Sequence, residues 1–504
     1  MRARLATRAA LLTLVASAPG LALAIEAPGA AAQRYGRADT GVVDVSSEPG
    51  NSEGEEPLSV NPLNPNQLTA VANVFEPDFP APLNPFVGGG GLQDTRVYSS
   101  QDGGRHWLTQ KLDQGGLGKL EVSLPEGNSP EFSDAFNIVN TDADSAWDKH
   151  GNAYFESGDI HGLYHEGNEV ETLWHSSDGG VTWGPDRGYT AVNATEEHKE
   201  LDRPWLAVDN SGGPHDGRLY TTFETTPFVD EPPEVFAKHS DDHGATWSPT
   251  VRVDDGTYQT QWNPRARPVV GADGALYVVY DRAPVTDTPF VTYEGPITLV
   301  LARSTDGGET SQRFVADTEV HRVVSPDEAT PQYTEMIPAI ATDPANAGRV
   351  AVAWPEAQGP GSSRIMLRYS RDGGVHWSPR LDVADDTPVA ADQHDHVTLS
   401  WLPGTRKLFV GWRDRRCCGG SFEDDYQQWV RVVKVALSGA LHLGPSMEFT
   451  EGPQPSGTSE RGALQPDEFQ GLAATRLGVG LTWSQVTGSV DDLMFRRVPL
   501  SAWR

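Results

Sequence analysis

Acids, arginines, tyrosines and histidines crowd into six short segments of this chain, each just ahead of an apolar run. In chain order these residues are Asp142 and Asp144; Glu200, Asp202 and Arg203; Tyr258, Arg265 and Arg267; Tyr333 and Glu335; Asp392, His394, Asp395 and His396; and Asp467 and Glu468. Carboxyl groups give and take protons, and the arginine fork pairs with both oxygens of a carboxylate. Acid–base chemistry or binding of an acidic ligand is therefore predicted if the fold gathers these segments. The alternative for any single residue is an ordinary solvated loop end.

The segment from Asp392 to His396 combines two residue types that bind divalent metals. In an extended strand alternate side chains share a face, so His394 and His396 would lie together and Asp395 on the other side. One strand then offers two ligands at most. We therefore predict no metal site and no cofactor, with a metal-dependent activity as a minority alternative.

The run Arg413-Asp414-Arg415-Arg416 is the most concentrated basic feature of the chain. It is expected to meet an acid, either an anionic ligand or Asp424 or Asp425 of the same loop. The only two cysteines, Cys417 and Cys418, follow directly. In an oxidising compartment they can form a disulfide between neighbours, and free thiols are the alternative.

The pattern Ser-x-Asp-x-Gly-x-x-Trp, here called the aspartate motif, indicates the scaffold that carries these residues. It occupies residues 100–107, 176–183, 240–247 and 370–377, and residues 304–311 with Ser311 in place of Trp. Its aspartates are Asp102, Asp178, Asp242, Asp306 and Asp372, which are 76, 64, 64 and 66 residues apart. Spacing this regular is typical of a repeat protein.

Each motif ends a unit of short apolar runs separated by Gly-, Asp- and Asn-rich turns, which predicts four antiparallel strands. Two further units, at residues 397–435 and 471–498, lack the motif and bring the number to seven, with six as the alternative. Residues 40–45 form a lone strand ahead of the first unit, and we expect it to complete the last one and close a ring. Residues 39–504 are thus predicted to be a single all-β domain, a β-propeller with very little helix.

Residues 176–183 and 240–247 contain Ser-x-Asp-x-Gly-x-Thr-Trp in full, and this sequence resembles the Asp-box (BNR repeat) of the sialidase superfamily. The likeness covers most of the predicted propeller. It implies that the motif aspartates are structural and lie away from the active site. We expect each carboxylate to accept backbone N–H groups, a glycine to take positive φ, and the Trp to pack between neighbouring sheets.

A sialidase resemblance also implies three arginines that clamp the substrate carboxylate, a Tyr nucleophile activated by a Glu, and an Asp that acts as general acid. Candidates follow from their place at the predicted channel mouth. They are Arg203, Arg267 and Arg415 for the clamp, Tyr333 and Glu335 as nucleophile and base, Asp134 as the acid, and Asp202 and Asp395 as further substrate contacts.

The chain departs from the sialidase pattern in its first unit. Sialidases carry Phe/Tyr-Arg-Ile-Pro there, whereas residues 58–74 contain no arginine. The nearest string, residues 202–205, lies two units later and lacks the Ile. Sialic acid is therefore not predicted as the substrate.

Three functions remain open, and the favoured one is a secreted glycoside hydrolase acting on extracellular glycans. The second is a non-catalytic propeller that binds carbohydrate or protein, in which Trp205, Trp262, Trp401 and Trp412 would stack on sugars or serve as core. The third is the metal-dependent enzyme.

Residues 1–24, with Arg2, Arg4 and Arg8 ahead of an apolar run and a small-residue end, have the layout of a secretory signal peptide; an alternative cut follows residue 32. Residues 25–38 are expected to be flexible. The net charge of −31 disfavours nucleic acid as a partner. We predict a secreted, extracellular or periplasmic monomer without a membrane span, which binds a glycan or another small anionic ligand at the channel mouth.

Overall fold

A computed structural model describes residues 39–46, 52–54, 56–76, 92–112, 139–160, 169–193, 201–225, 234–255, 266–282, 296–321, 323, 337–359, 362–384, 393–418, 425–455, 470–488 and 490–504. Strands make up almost all of the regular structure there. Up to residue 200 they are β1 (Val43–Asp44), β2 (Ser52–Gly54), β3 (Leu58–Val60), β4 (Leu68–Glu76), β5 (Leu92–Ser100), β6 (Leu108–Gln110), β7 (Val139–Trp147), β8 (Ala153–Ile160), β9 (Glu169–Ser176) and β10 (Gly184–Asn193).

Two more groups of strands complete the chain. Between residues 200 and 390 they are β11 (Leu201–Val208), β12 (Leu219–Thr225), β13 (Val235–Ser240), β14 (Val251–Arg252), β15 (Arg267–Val270), β16 (Leu276–Arg282), β17 (Ile297–Ser304), β18 (Gln312–Val320), β19 (Ala339–Thr342), β20 (Val350–Gly359), β21 (Ser362–Ser370) and β22 (Leu381–Asp382). After residue 390 they are β23 (His394–Trp401), β24 (Lys407–Asp414), β25 (Gln427–Val435), β26 (Leu441–Glu448), β27 (Leu472–Thr475), β28 (Gly478–Thr487) and β29 (Val490–Val498).

The strands form seven antiparallel sheets, which we number as blades 1 to 7. Blade 1 contains β2 to β6, with β2 and β3 both paired to β4. Blades 2 to 6 each take the next four strands in turn, so that β7, β11, β15, β19 and β23 are their inner strands. Blade 7 combines β27, β28 and β29 with β1, in which Val43 pairs with Phe495.

The inner strands lie side by side in a closed ring, in which each contacts the next and β27 contacts β3 of blade 1. The structure is therefore a seven-bladed β-propeller whose two ends share blade 7. Both the number of blades and the closure by the N-terminal strand confirm the prediction from the sequence.

Apolar side chains fill the junctions between blades. Because successive side chains of a strand point to opposite faces, each strand serves two junctions. In β24, Leu408, Val410 and Trp412 pack toward blade 5, whereas Phe409 packs toward blade 7. A fully buried side chain of this kind stabilises the fold by about 1.5–3 kcal/mol. The junctions thus supply the apolar core that the ring requires.

Strand register defines two ends of the propeller. In blade 3, Val208 at the end of β11 pairs with Leu219, which pairs with Ser240, where an aspartate motif begins. Leu201, at the start of β11, pairs with Thr225 at the opposite end. We call the end with the motifs the lower end, and the end where the inner strands begin the upper end.

At the lower end, each aspartate motif closes the turn after the third strand of its blade. In blade 2, Asp178 accepts the backbone N–H groups of Val181 and Thr182 at 3.1 and 2.8 Å, and the hydroxyl groups of Ser176 and Thr182 at 2.9 and 2.6 Å. Equivalent backbone hydrogen bonds are accepted by Asp102, Asp242, Asp306 and Asp372.

The glycine at the fifth position of the motif packs against the third strand of the preceding blade. Gly104 has φ of 87°, and a Cβ atom there would lie 2.0 Å from Cε1 of Phe495 in blade 7. Gly244 has φ of 90°, and its Cβ would lie 2.4 Å from Cδ2 of Leu173 in blade 2. Glycine is therefore required for the backbone conformation and for the contact between blades.

Helix is nearly absent from the described residues, where one 3-10 turn spans Leu500–Ala502. This agrees with the prediction of very low helix content. Within the same residues, no helix has the length and apolar character needed to cross a membrane.

Candidate functional site at the upper end

Three inner strands share an irregularity near the upper end. The pairing of β7 with β8, of β11 with β12 and of β23 with β24 is shifted there by one extra residue. Each bulge contains a non-glycine residue with positive φ, namely Asp142 at 53°, Arg203 at 56° and His396 at 51°. Such a conformation costs on the order of 1–3 kcal/mol and is found mainly at functional sites, where a bulge redirects a side chain. All three residues are ionisable and lie in strand bulges, whereas His243, the other described non-glycine residue at positive φ, belongs to the turn of an aspartate motif. The bulges make the upper end the candidate site.

Asp142 is the one of the three whose charged group no described side chain contacts. It is only 7% exposed, and its carboxylate has no hydrogen-bond or ion-pair partner among the described residues. Its carboxylate oxygens are not fully buried, so a ligand at the upper end can donate hydrogen bonds to them.

Next to this bulge, two carboxyl groups and an arginine are buried together. Asp144 and Glu156 are direct cross-strand partners in blade 2. Burial raises the pKa of Asp144 to about 6, although the N–H groups of Leu206 and Ser145 and the charge of Arg267 oppose the shift. Burial, with a contribution from Asp144, also raises the pKa of Glu156. Near neutral pH, Glu156 therefore carries a proton and Asp144 is largely ionised.

The three arginines proposed as a clamp lie in different blades. Arg203 of blade 3 faces Glu224, with 3.7 Å between Nε and Oε1. The guanidinium of Arg267, in blade 4, lies 4.3 Å from the ring centre of Trp205, and burial lowers its pKa to about 10. Arg415 of blade 6 bonds Asp395 instead. The described contacts therefore do not bring these arginines together on one carboxylate.

On the side of blade 6 that faces blade 7, Asp395 is the centre of an ion network. Its carboxylate accepts bonds from Arg413 Nε at 2.7 Å and from Arg415 Nη1, and lies 2.8 Å from His396 Nδ1. Burial raises the pKa of Asp395, but Arg413, Arg415 and His396 hold it well below its usual range. Asp395, expected to contact substrate, is thus engaged by protein groups.

A second network lies on the side of blade 6 that faces blade 5. Asp414 lies 3.2 Å from His394 Nε2 and accepts a hydrogen bond from Arg416 Nε at 2.9 Å. Although burial raises the pKa of Asp414, His394 and Arg416 lower it to about 2. His394 Nδ1 lies 2.7 Å from the carbonyl oxygen of Ser363 in blade 5. Among the described residues, the run from Arg413 to Arg416 therefore meets Asp395 and Asp414. The alternative partner Asp424 lies outside the described residues.

The strand alternation expected for His394, Asp395 and His396 is wrong. The bulge at His396 interrupts the two-residue period, so His396 lies beside Asp395 while His394 contacts Asp414 on the other face. In the part of the chain that the structure describes, no group of three or more His, Cys, Asp or Glu residues is arranged to hold a metal ion.

Several of the predicted site residues lie outside the described residues. Tyr333, Glu335, Asp134 and Trp262 lie outside the described residues, and of Asp202 only the backbone is described, where it pairs with Glu224.

Trp401 and Trp412 belong to the apolar core between blades 5 and 6. Trp205 is also buried and packs with Ile337. Cys417 and Cys418 are disulfide-bonded in the structure.

Some residues of the upper end gave no signal in the sequence. Glu156 and Glu224 sit in ordinary second strands, and Gln393 and Gln428 belong to no motif. Only their burial distinguishes them, and burial follows from the packing of blades. The alternation within residues 413–416 could have placed Arg413 and Arg415 on one face and Asp414 and Arg416 on the other.

No family model matches this chain, and no curated protein matches it either. Solved structures do match. The sialidase of Trypanosoma rangeli in complex with 2,3-difluorosialic acid has 13% identity and a TM-score of 0.41, over 88% of this chain and 54% of that one. A Hadza microbial sialidase has 14% identity and a TM-score of 0.43, over 93% and 98% of the two chains. A Dyadobacter fermentans protein of unknown function has 11% identity and a TM-score of 0.43, over 92% and 98%.

This chain thus spans about half the length of the Trypanosoma rangeli chain that it matches. At these identities and TM-scores the likeness carries no inference about catalytic or binding residues. Sialidases are among the solved structures that this chain resembles, and its fold is the seven-bladed propeller described above.

Proposed function

We propose that this protein is an exported glycoside hydrolase that acts on extracellular glycans, with its reaction site at the upper end of the propeller. One observation carries the proposal: Asp142, Arg203 and His396 are held at positive φ at the start of three inner strands. Strain of this kind persists where surrounding structure positions a side chain for a ligand. Export is supported by the signal-like layout of residues 1–24.

The catalytic groups proposed are Tyr333, Glu335 and Asp134. Asp134 precedes β7 and the other two precede β19, and both strands begin at the upper end. In this proposal Tyr333 attacks the anomeric carbon, Glu335 accepts the tyrosine proton, and Asp134 protonates the departing glycosidic oxygen. Asp202, Arg203 and other upper-end side chains would hold the sugar.

The carboxyl pair of blade 2 lies beside the Asp142 bulge and supports acid–base chemistry there. Asp144 and Glu156 are cross-strand neighbours with raised pKa values, so the middle of the blade carries one proton and one negative charge near neutral pH. Neighbouring carboxyl groups in different protonation states are typical of hydrolytic sites.

Hydrolysis of a panel of fluorogenic glycosides, including a sialoside, tests the proposal. We expect release of fluorophore from at least one glycoside, a loss of about 100-fold or more in kcat for Tyr333→Phe and Glu335→Gln, and a comparable loss for Asp142→Asn. Asp242→Asn, in the aspartate motif at the lower end, is the control that leaves kcat unchanged. Absence of turnover on the whole panel, or equal loss in the control, would refute it.

A non-catalytic glycan-binding propeller is the second candidate, and one observation favours it. Arg203 faces Glu224 and Arg415 bonds Asp395, so protein carboxylates engage two of the arginines proposed as a clamp. If the panel gives no turnover, glycan binding that Asp142→Asn abolishes and Asp242→Asn retains would support this candidate.

A further inference from the structure

Two buried glutamine side chains on blade 6 are unpaired. Gln393 and Gln428 are both 0% exposed, and neither Nε2 nor Oε1 of either residue has a hydrogen-bond partner among the residues that the structure describes. A buried amide without partners costs about 1–3 kcal/mol for each unsatisfied group. Two such side chains on one blade therefore indicate that something other than the described residues bonds them.

Both glutamines lie on the same face of the sheet as two arginines. Gln393 accepts the backbone N–H of Arg415 at 3.0 Å, and Gln428 is the cross-strand partner of Arg413. Arg413 is in turn the cross-strand partner of Asp395. Because cross-strand partners project to the same side of a sheet, these five side chains form one patch.

This patch faces blade 7 and is closed to solvent. Tyr426, two residues before Gln428 and so on the same face, donates a hydrogen bond to the carbonyl oxygen of Ser484 in blade 7. The Arg413 guanidinium lies 5.4 Å from the Tyr426 ring centre. Arg413 and Arg415 are 2% and 1% exposed. Because these side chains are closed to solvent, the only occupant to consider is a single ion or a very small molecule.

We propose that the junction between blades 6 and 7 binds a small monovalent anion, such as chloride, between the amide groups of Gln393 and Gln428 and beside the guanidinium groups of Arg413 and Arg415. Amide and guanidinium N–H groups are hydrogen-bond donors, and in the described contacts Arg413 and Arg415 share the carboxylate of Asp395. A cation would be repelled by this set. The proposal does not depend on hydrolysis at the upper end.

The pKa of Arg415 is consistent with this site. Burial lowers it, Arg413 lowers it further, and Asp395 only partly restores it. An added anion would stabilise the charged form of Arg415. The anion would also tie blade 6 to blade 7, because Tyr426 already links the same face to Ser484.

Thermal unfolding at fixed sodium concentration and ionic strength tests the site. Replacing gluconate, which is too large to be enclosed, with about 200 mM chloride should raise the Tm by about 2–5 °C, because an ion that binds only the folded state stabilises it by mass action. Gln428→Leu should abolish this increase, since it removes the donor and keeps the volume. Gln427→Leu, a half-buried neighbour on the opposite face, is the matched control and should keep it.

Crystals of the wild-type protein soaked in bromide give a second, independent readout. We expect an anomalous peak within hydrogen-bond distance of Gln393 Nε2 and Gln428 Nε2. Equal Tm values in gluconate and chloride, a full chloride response in Gln428→Leu, or water in place of bromide would each overturn the proposal.

Discussion

Replacing Asp395 with asparagine should be among the most damaging single substitutions in blade 6. The carboxylate is fully buried and is shared by Arg413 Nε at 2.7 Å, Arg415 Nη1 and His396 Nδ1 at 2.8 Å. Asparagine keeps the shape but removes the negative charge, which leaves two buried guanidinium groups without it. Breaking one side of a buried ion pair costs about 3–5 kcal/mol, and we expect a loss of that size in the free energy of unfolding.

The assay is urea unfolding at pH 7, followed by tryptophan fluorescence. Asp425→Asn, an exposed acid in the same blade, is the matched control and should change the free energy of unfolding by less than about 0.5 kcal/mol. Asp395→Asn should cost much less in an Arg415→Met background, because one of the stranded charges is then absent. A loss below about 1 kcal/mol in the single variant, or full additivity in the double variant, would refute the reasoning.

Four further predictions concern pH, the lower end and the cysteines. The folded pKa of Asp414 is about 2, below the unfolded value of about 3.9, so its stabilising contribution is complete above about pH 5 and is lost as the pH falls toward 2. Acid unfolding of Asp414→Asn should therefore show a smaller loss of stability over that window. Burial, with a contribution from a neighbouring acid, raises the pKa of Glu53 to about 9, so stability falls as the pH rises from about 4.5 toward 9. Glu53→Gln removes this loss, and it should stabilise the protein by as much as about 4–5 kcal/mol at pH 8 and by little at pH 4.5. Asp178→Ala should cost about 1–2 kcal/mol in urea unfolding without changing glycoside turnover. Cys417 and Cys418 should be alkylated only after reduction, with two added groups by intact mass.

Each of these has an outcome that would contradict it. Equal acid-unfolding profiles for wild type and Asp414→Asn would show that the ion network around Asp414 does not cause the loss of stability at low pH. A gain for Glu53→Gln that is the same at pH 4.5 and pH 8 would show that proton binding is not involved. Loss of turnover in Asp178→Ala would place the lower end in the reaction, and alkylation without reductant would show free thiols.

The architecture could be predicted because its signals are local and repeated. Turn residues such as Gly104 and Gly244 are dictated by positive φ and by the contact with the preceding blade, so the motif returns wherever a blade joins its neighbour. The strand at residues 43–44 could be assigned to blade 7 because a ring of sheets has to close. The prediction of seven blades was confirmed on these grounds.

The arrangement of the upper end could be predicted only in part. The sequence pointed to Arg203, Asp395 and His396, but not to the one-residue bulges that place Arg203 and His396 at positive φ. A bulge is set by pairing with the next strand, and no turn residue marks it. The partners of the arginines could not be predicted either, since Arg415 and Asp395 are 20 residues apart and meet only through the register of β23 with β24.

The sequence by itself determined the repeating unit, the ring and the polar residues at the start of the inner strands. Turn chemistry and alternating apolar residues act over only a few residues, so these features can be seen in the sequence. Tertiary structure alone decided which ionisable groups are buried together. Blade packing pairs Asp395 with two arginines, gives Asp142 no partner among the described residues, and encloses Gln393 and Gln428. The physical reason is desolvation: the cost of a buried charge or amide depends on the groups that surround it in space, and those come from distant parts of the chain.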